Sequence, residues 1–253
     1  MSKIKVAVCG ACGKMGHETV KAVLADSDLE LVAKIDLICT GDVLYDSIEK
    51  AYQETKFDVL VDFTQPVSIF ENAKFCLANG IRPVVGTTGL SDAQINTLKN
   101  LSESNNVPAI IAPNFSTGAV LMMMFAQKAA KYFDNAEIIE LHHNQKKDAP
   151  SGTAIKTAKM MAEANESFTK GNCEESELID GARGASSYSD IHIHSVRMPG
   201  FMASQEVIFG SNGQTLKIRH DSSERSCYMP GVILSIKHVM SHDDFVYGLE
   251  NIL

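Results

Sequence analysis

An α/β fold with a doubly wound parallel sheet, followed by a second domain of α+β type with a mixed sheet, is predicted by three features of the sequence. Short apolar runs alternate with helical patterns up to residue 113. Beyond that point, β-like runs adjoin through turn signals. The last segment is apolar at helical spacing and can return to the first domain. We therefore expect a discontinuous first domain, 1–113 with 223–253, and a second domain, 114–222.

The first domain repeats the order strand, turn, helix. Its strands are short apolar runs, whereas its helices carry apolar residues three and four positions apart. Ser91 and Gln94 form a predicted capping box. The alternation implies right-handed crossovers between parallel strands. The predicted strands are 4–8, 29–35, 58–63, 83–85 and 107–111, and the predicted helices are 15–25, 68–78 and one that starts at residue 91.

The second domain has a different pattern. One long apolar helix opens it, and β-like runs separated by turn signals such as Asn212-Gly213 close it. Strands joined by hairpin turns favour an antiparallel or mixed sheet. The predicted helices are 118–133 and 153–164, the predicted strands are 137–143, 190–197, 206–209 and 215–220, and 225–253 is expected to be helical.

The charge of the chain is unevenly distributed. Its 253 residues include 23 Lys and Arg against 31 Asp and Glu, a formal net charge of -8. The acidic excess lies in 163–190 and in the last thirteen residues, so the remainder is neutral. This balance argues against a nucleic-acid binder, which would concentrate basic residues. An anionic ligand is expected in the neutral remainder.

Six cysteines are scattered through the chain without the spacing of a disulfide framework, and we expect reduced thiols. Cys9-x-x-Cys12 resembles a redox pair or half of a zinc site, but no second pair completes four ligands, so no metal is expected. No apolar stretch has the roughly 18 residues of a membrane helix. We expect a cytoplasmic protein without a membrane partner.

A glycine-rich turn follows the first strand, with the sequence Gly10-Ala11-Cys12-Gly13-Lys14-Met15-Gly16. Glycines at this place permit a sharp turn and a close approach of backbone to a pyrophosphate at the helix N-terminus. Asp36 ends the second strand 20 residues beyond Gly16, where a carboxylate can bind a ribose hydroxyl. The pattern predicts a Rossmann-type dinucleotide site. The carboxylate favours NADH, and use of both NADH and NADPH stays open because Lys14 and Lys34 are near in sequence.

Two further stretches end predicted strands in the same domain. Asp62-Phe63-Thr64 follows the third strand, and Gly86-Thr87-Thr88-Gly89 follows the fourth. Small and hydroxyl residues at the carboxyl ends of parallel strands suit a nicotinamide ribose and amide. For Thr64, ordinary turn and capping chemistry is an equal alternative.

The most informative segment runs from Glu140 to Ala154. A strand leads through His142 and His143 into a polar loop with Lys146, and Pro-Ser-Gly-Thr then begins a helix. A lysine and a helix N-terminus can hold a carboxylate, and a histidine can exchange a proton near neutral pH. Because neighbouring residues on a strand point to opposite faces, the two histidines are not expected to share one role.

This segment resembles the signature of the 4-hydroxy-tetrahydrodipicolinate reductase family. The resemblance spans nearly the whole chain, because other motifs match in the same order. The matching stretches are His142-His143-x-x-Lys146-x-Asp148-Ala149-Pro150-Ser151-Gly152-Thr153-Ala154, the GxxGxMG turn, Asp62-Phe63-Thr64, Gly86-Thr87-Thr88-Gly89, Ala112-Pro113-Asn114-Phe115-Ser116, Arg197-x-x-Gly200 and Arg225.

The resemblance implies an NAD(P)H-binding Rossmann domain, a substrate and oligomerisation domain, and a homotetramer. It implies that His142 and Lys146 are proton donors and that the substrate, a cyclic dicarboxylate, is held by His143, Lys146, Gly152 and Thr153. Leu37 departs from members that have Arg after the acidic ribose ligand, which disfavours a strong NADPH preference. The implied cofactor residues are Gly10, Gly13, Lys14, Met15, Gly16, Asp36, Phe63, Gly86, Thr87, Thr88, Ala112, Asn114 and Phe115.

The chemistry expected from this resemblance is NAD(P)H-dependent reduction of 4-hydroxy-tetrahydrodipicolinate to tetrahydrodipicolinate in the diaminopimelate route of lysine biosynthesis. Two alternatives stay open. A semialdehyde dehydrogenase would need a cysteine nucleophile beside a base, and Cys173 is the only cysteine in the predicted second domain. A non-catalytic NAD-sensing protein would bind the nucleotide without oxidising it.

Overall fold

The computed structural model describes residues 2–37, 45–169, 174–186 and 188–253. The chain forms two compact units. Unit 1 consists of Met1–Thr117 and Arg225–Leu253, and unit 2 consists of Gly118–Glu224. No helix among the described residues is both long and apolar enough to cross a membrane.

The described residues form eleven strands and seven α-helices, numbered here along the chain. The helices are α1 (Lys14–Ala25), α2 (Ile48–Glu54), α3 (Ile69–Ala78), α4 (Asp92–Asn105), α5 (Thr117–Ala130), α6 (Gly152–Ala164) and α7 (Met229–Ser241). The strands are β1 (Ile4–Cys9), β2 (Leu29–Ile35), β3 (Val59–Asp62), β4 (Arg82–Val85), β5 (Ala109–Ile111), β6 (Asn135–His142), β7 (Ala185–Ser186), β8 (His192–Arg197), β9 (Ala203–Ser211), β10 (Gln214–Ser222) and β11 (Phe245–Tyr247).

Unit 1 contains a six-stranded parallel sheet with the strand order β11-β5-β4-β3-β1-β2. The central strands are continuous apolar runs because both faces of the sheet are covered. Val6, Ala7 and Val8 of β1 have no exposed surface, and neither do Val59 and Leu60 of β3. This is the predicted Rossmann-type doubly wound sheet.

The order of the strands reverses beside β1, which pairs with β2 on one side and with β3 on the other. In such sheets a crevice opens outside the carboxyl ends of the strands at the point of reversal. Cys9 ends β1 and lies opposite both Ile35 of β2 and Asp62 of β3. The residues that follow these three positions therefore line the crevice.

Two elements of unit 1 depart from the sequence prediction. Helix α2 was not predicted, because it has only two turns and its buried residues, Ile48 and Ala51, are too few to show a period. Its cap, Ser47, accepts a hydrogen bond from the Lys50 amide at 3.3 Å.

The predicted capping box of Ser91 and Gln94 at the start of α4 is confirmed.

The expectation that 225–253 is helical throughout is wrong at its end. After α7, the three residues of β11 pair in parallel with β5 and complete the sheet. A strand of three residues is too short to show a periodic pattern, and its apolar residues extend the pattern of the preceding helix.

Helix α7 is held to the end of α1 by ion pairs. Lys237 pairs with Asp26 at 2.9 Å and with Asp28 at 2.8 Å.

Unit 2 contains the predicted mixed sheet, in the order β10-β9-β6-β8-β7. Strand β6 pairs in parallel with β8 and antiparallel with β9. The hairpin of β9 and β10 turns at Gly213, whose φ of +79° favours glycine. Apolar residues of one sheet face pack with α5 and α6. The sheet residues of this core include Ile138, Ile193, Val207 and Phe209, and the helix residues include Ala126, Ala154, Ala158 and Met161.

The predicted strands of unit 2 are present. Strands β9 and β10 are longer than their predicted ranges, 206–209 and 215–220. The first helix ends at Ala130, three residues before the predicted end. The remaining predicted helix starts one residue early, at Gly152. These differences arise at termini, where polar residues carry little pattern.

The expectation of reduced thiols is correct for Cys9, Cys76 and Cys227, which are free. It is wrong for Cys12, which is disulfide-bonded. Sequence spacing does not show which residues the fold brings within bonding distance. Cys39 and Cys173 lie outside the described residues.

We predict that Gly231→Ala destabilises unit 1. The position lies in α7, and an added Cβ would overlap the backbone carbonyl of Phe115 and contact Leu249 at 3.0 Å. Overpacking of this kind costs about 1–3 kcal/mol. Thermal unfolding would show a lower Tm. Gly210→Ala is the control, because its Cβ would meet no atom within 4 Å. Equal Tm values for the two variants would contradict the prediction.

Candidate functional site

The glycine-rich turn brings the ends of β1 and β3 together. Gly10 has a φ of +77°, and a Cβ at this position would lie 2.7 Å from the Phe63 carbonyl oxygen. Glycine is therefore required both by the backbone conformation and by the space. Gly16 is constrained by space alone, because its Cβ would overlap the Gly10 carbonyl oxygen. The turn can fold tightly onto the start of α1 only with glycine at these two positions.

Helix α1 starts without a side-chain cap. Gly13 is the N-cap residue and has no side chain to bond the first-turn amides, while its own amide donates to the Gly10 carbonyl at 3.0 Å. Lys14 and Met15 are the first two helical residues. Uncapped N–H groups and a lysine at a helix N-terminus favour an anion.

A cavity of about 500 Å³ opens beside this turn. It lies outside the carboxyl ends of β1, β2 and β3, at the reversal of strand order that predicts a nucleotide crevice. Four predicted cofactor residues line it, namely Gly10, Gly13, Asp36 and Phe63. The other lining residues are Cys9, Cys12, Ile35, Leu37, Asp46, Ser47, Ile48, Glu49, Thr64, Gln65, Ser68 and Asn72.

One side of the cavity is acidic. Asp36 lines it and accepts a hydrogen bond from the Cys12 amide at 3.0 Å, so the carboxylate also holds the glycine-rich turn. Asp46 and Glu49 line the same cavity, and Asp46 pairs with Lys50 at 2.7 Å. Sequence reasoning missed these two acids, because nothing in their local pattern placed them beside Asp36.

Asp62 organises the loop after β3. Its side chain is 1% exposed, and burial raises its pKa, although hydrogen bonds from Thr64 and Asn72 oppose the rise. The Thr64 amide and hydroxyl donate to one carboxylate oxygen at 2.8 and 2.6 Å, and Asn72 of α3 donates to the other at 2.8 Å. The carboxylate therefore fixes the backbone that carries Phe63 into the cavity.

An aromatic layer lies behind Phe63. Its ring packs edge to face on Phe115 with 5.9 Å between centroids, and a Cβ on Gly86 would overlap it. The Thr87 hydroxyl donates to the Thr64 carbonyl at 3.2 Å. Glycine at position 86 thus makes room for the ring.

The remaining predicted cofactor residues lie near these strand ends but do not line the cavity. The Ala112 amide donates to the Val85 carbonyl at 2.9 Å, and the Asn114 side chain accepts from the Ser116 amide at 2.9 Å. Three of these residues lie in the first turn of α1, and the others follow β4 or β5. Outside the lining are Lys14, Met15, Gly16, Gly86, Thr87, Thr88, Ala112, Asn114 and Phe115.

In unit 2, a buried ionic group lies at the end of β6. Glu140 and His142 share one face of the strand, and Glu140 is completely buried. A carboxylate oxygen of Glu140 bonds His142 Nδ1, and Arg197 of β8 donates to both oxygens at 2.8 and 2.7 Å. Burial alone would raise the pKa of Glu140, but hydrogen bonds from His142, Arg197 and Ser195 outweigh it and lower this pKa to about 2.

Lys146 lies in the loop after β6. Its ammonium group forms an ion pair with both carboxylate oxygens of Asp148, at 2.8 and 2.7 Å. The lysine side chain is 20% exposed and the aspartate side chain 62% exposed. Arg197 also donates to the Asp148 carbonyl at 2.8 Å, so this loop and the buried ionic group are connected.

Helix α6 begins directly after this loop. Ser151 caps it by accepting from the Ala154 amide at 3.2 Å, and the Ser151 amide donates to Glu140 at 3.2 Å. No atom lies within 4 Å of a Cβ built on Gly152. The first turn of α6 therefore has open space beside Gly152.

The two histidines have different partners, as expected from their alternation. His142 bonds the buried carboxylate, whereas His143 Nδ1 accepts from the Gln145 amide at 3.2 Å. Within unit 2 the structure brings together the predicted His142, Lys146 and start of α6. Sequence reasoning assigned no role to Glu140 or Arg197. The alternation of Glu140 with His142 was the available signal.

No group of three or more His, Cys, Asp or Glu among the described residues could hold a metal ion. The uncapped amides at the start of α1, together with Lys14 and Lys146, are groups that suit organic anions.

Comparison with known proteins gives consistent matches along the chain. Residues 4–115 match the family model described as dihydrodipicolinate reductase, N-terminus, and residues 118–253 match the model for its C-terminus. A 4-hydroxy-tetrahydrodipicolinate reductase of Listeria monocytogenes serotype 4b (strain F2365) is 52% identical, covering 99% of this chain and 100% of the relative. One from Picosynechococcus sp. (strain ATCC 27264 / PCC 7002 / PR-6) is 50% identical over 100% of this chain and 99% of the relative.

Solved structures agree. A dipicolinate-bound dihydrodipicolinate reductase from Paenisporosarcina sp. TG-14 superposes with a TM-score of 0.92 and 46% identity, over 99% of this chain and 100% of the other. A probable dehydrogenase from Thermotoga maritima, at 12% identity and a TM-score of 0.67, shares the fold alone. The matches of both halves and of full-length relatives show that this chain belongs to the dihydrodipicolinate reductase family.

Proposed function

We propose that the chain catalyses the reduction step of its family, which converts 4-hydroxy-tetrahydrodipicolinate and NAD(P)H, with one proton, into tetrahydrodipicolinate, NAD(P)⁺ and water. This step belongs to the diaminopimelate route of lysine biosynthesis. One observation carries the residue roles: the buried Glu140 links His142, the Lys146 loop and the start of α6 in one hydrogen-bonded group.

Unit 1 is the proposed dinucleotide-binding part. The uncapped start of α1, with Gly10, Gly13 and Gly16 clearing the backbone, suits the pyrophosphate, and Lys14 adds a positive charge. Asp36 suits the adenosine ribose and Phe63 borders the same cavity. Met15 stays in this proposal through its place in the first turn of α1, and the other predicted cofactor residues through their places after β4 and β5. The reduced nicotinamide supplies the hydride.

Unit 2 is the proposed substrate-binding part. Two carboxylates of the substrate need two cationic or amide-rich positions, which Lys146 and the Gly152–Thr153 turn can supply, with His143 beside them. Lys146 is available for this exchange because Asp148, its present partner, is largely exposed. Such surface pairs contribute about 0–1 kcal/mol, so a substrate carboxylate can replace Asp148 at little cost.

His142 is the proposed proton donor, and Lys146 is the second candidate. Histidine is a common general acid in enzymes, and the orientation of this imidazole is set by the Glu140 carboxylate. The protein thus binds the dicarboxylate, neutralises its charge and supplies a proton to the ring as the hydride arrives.

NADH is the proposed preferred cosubstrate. A 2′-phosphate would meet Asp36, Asp46 and Glu49 in one cavity, and like charges in a confined site repel. The sequence from Asp36 to Glu49 contains no Lys or Arg, so this segment supplies no counter-charge. Lys50 is engaged by Asp46.

A homotetramer built through the sheet of unit 2 is the proposed assembly. Ile139 of β6, Val196 of β8 and Ile208 of β9 alternate with the residues that face α5 and α6, and they remain partly exposed. Apolar side chains on the uncovered face of a sheet favour contact with another chain.

The cytoplasm, where reduced dinucleotides are regenerated, is the proposed compartment.

The alternative of a cysteine-dependent dehydrogenase gains no support from Cys9 and Cys76. Cys9 and Cys76 are buried, and burial raises the pKa of both thiols. A thiol with a raised pKa is a poor nucleophile. The assay of NADH oxidation described below distinguishes the proposed enzyme from a non-catalytic NAD-sensing protein.

We predict that the wild-type protein oxidises NADH when enzymatically made 4-hydroxy-tetrahydrodipicolinate is present, as measured by loss of absorbance at the reduced nicotinamide band. Lys146→Ala should lower kcat/KM by about 10²-fold or more, because a charge-assisted contact and a proton donor are lost. Lys147→Ala is the control, since Lys147 is exposed. Near-normal turnover of Lys146→Ala, with NADH binding intact, would exclude the role.

We predict that Leu37→Arg raises kcat/KM with NADPH by about tenfold, equal to about 1.4 kcal/mol, because a guanidinium beside Asp36 can pair with a 2′-phosphate. Leu37 lines the cavity and is 84% exposed, so the change needs no repacking. Leu24→Arg, on an exposed position of α1, serves as the control. A wild-type enzyme that prefers NADPH would contradict the assignment of Asp46 and Glu49.

We predict that light scattering gives the mass of four chains and that Ile208→Lys gives smaller species, because a charge is then placed on the proposed interface. Val67→Lys tests for a general effect of added charge, since Val67 of unit 1 is 89% exposed. A monomeric wild-type protein would overturn the proposed assembly.

A further inference from the structure

We propose that Glu140, paired with Arg197, is a positioning residue that fixes the Nδ1–H tautomer of His142 and thereby directs proton transfer to Nε2. This inference rests on the proposed function, because it gives His142 a proton to deliver. It extends that function to two residues that do not need to touch the substrate.

The strand register places the four polar side chains. Glu140 lies opposite Ser195 in the parallel pair of β6 and β8, and His142 lies opposite Arg197. All four side chains extend from the face that packs on the helices, since alternate residues share a face. A glutamate two residues before the histidine and an arginine across from it are therefore brought together by the sheet itself.

Each carboxylate oxygen of Glu140 has a defined set of donors. Oε1 accepts from Arg197 Nη2 at 2.7 Å and from the Ser151 amide at 3.2 Å. Oε2 accepts from Arg197 Nη1 at 2.8 Å and bonds His142 Nδ1. Arginine and a backbone amide can only donate, so the carboxylate must remain an acceptor at both oxygens.

The ionisation state of Glu140 decides the tautomer of His142. The lowered pKa of Glu140 keeps its carboxylate ionised at neutral pH. An ionised carboxylate only accepts hydrogen bonds, so the imidazole must carry a hydrogen on Nδ1. The ring nitrogen that gains and loses a proton is then Nε2, and the ring orientation is set by a buried anchor.

The same carboxylate also holds the substrate-binding loop. It accepts from the Ser151 amide, next to the start of α6, and its partner Arg197 donates to the Asp148 carbonyl. Asp148 is the residue that pairs with Lys146. The proton donor and the proposed carboxylate-binding groups thus share one anchor, and a change in Glu140 alters both.

Glu140→Gln gives a sharp test because one orientation of the amide leaves fewer donors unpaired. Its oxygen is favoured at the Oε1 place, where Arg197 Nη2 and the Ser151 amide both donate, while Arg197 Nη1 loses its acceptor at the Oε2 place. Its NH₂ group then faces His142 Nδ1, which must become an acceptor. The variant should therefore reverse the tautomer of the neutral ring to Nε2–H, which leaves Nε2 without a free acceptor position.

The experiment combines the tautomer with kinetics. The full-length protein is labelled with ¹⁵N-histidine, and long-range ¹H–¹⁵N spectra are recorded at a pH where the ring is neutral, with His142→Gln to assign the signal. We expect Nδ1–H in the wild type and Nε2–H in Glu140→Gln. A wrong tautomer lowers kcat by about 10²- to 10⁴-fold. KM for NADH should not change, and Glu140→Asp should keep Nδ1–H and restore part of kcat.

Glu137→Gln is the matched control. Glu137 lies on the same strand and also bonds an arginine and a histidine, Arg183 and His194, both at 2.7 Å, but on the other face. It should keep the His142 tautomer and kcat, with the assembly state checked by light scattering. An equal loss of kcat in this control would mean a general effect of charge removal and would overturn the inference.

Two further outcomes overturn it: Nε2–H in the wild-type ring, or near-normal kcat in Glu140→Gln with a reversed tautomer. The wild-type measurement does not use Glu140→Gln, so it decides the matter even if that variant does not fold. Because it also needs no substrate, the tautomer is measured even where the wild type fails to oxidise NADH. That failure would overturn the proposed reaction and leave the spectrum to decide the tautomer.

Discussion

Both units depend on one constraint, which is that a buried carboxylate must have its hydrogen bonds satisfied. Asp62 in unit 1 and Glu140 in unit 2 are almost without exposed surface, and each organises the loop that follows its strand. With their different partners, the two carboxylates have pKa values shifted in opposite directions. Asp62 has only neutral donors, and burial raises its pKa, whereas Arg197 and His142 lower that of Glu140. The first carboxylate shapes a loop, and the second also holds His142, the proposed proton donor.

The two anionic ligands of the proposed reaction fit the acidic chain because binding depends on local groups. Much of the acidic excess lies in 163–190, away in sequence from the glycine-rich turn and from the loop with Lys146. Under the proposed NADH preference, the acids that line the cavity of unit 1, Asp36, Asp46 and Glu49, bind a ribose and disfavour an added phosphate. The net charge of a protein thus says little about a site whose donors are backbone amides.

The sequence predicts the parts of the fold that local chemistry determines. The glycine-rich turn, the capping box at Ser91 and the hairpin at Gly213 all have residue requirements that the sequence shows directly. Helix α2 and strand β11 are too short to show a period, and β11 is stabilised by pairing with a strand over 130 residues away in sequence. Likewise, Arg197 becomes a partner of Glu140 only through the register of β6 and β8, which no local pattern specifies.

The place of β11 in the sheet also bears on the order in which the protein can fold during synthesis. Residues 118–224, which form unit 2, leave the ribosome before Phe245–Tyr247, which complete the sheet of unit 1. Unit 2 can therefore fold while unit 1 still presents β5 as an unpaired edge. The open edge of β5 is covered only when the three residues of β11 pair with it.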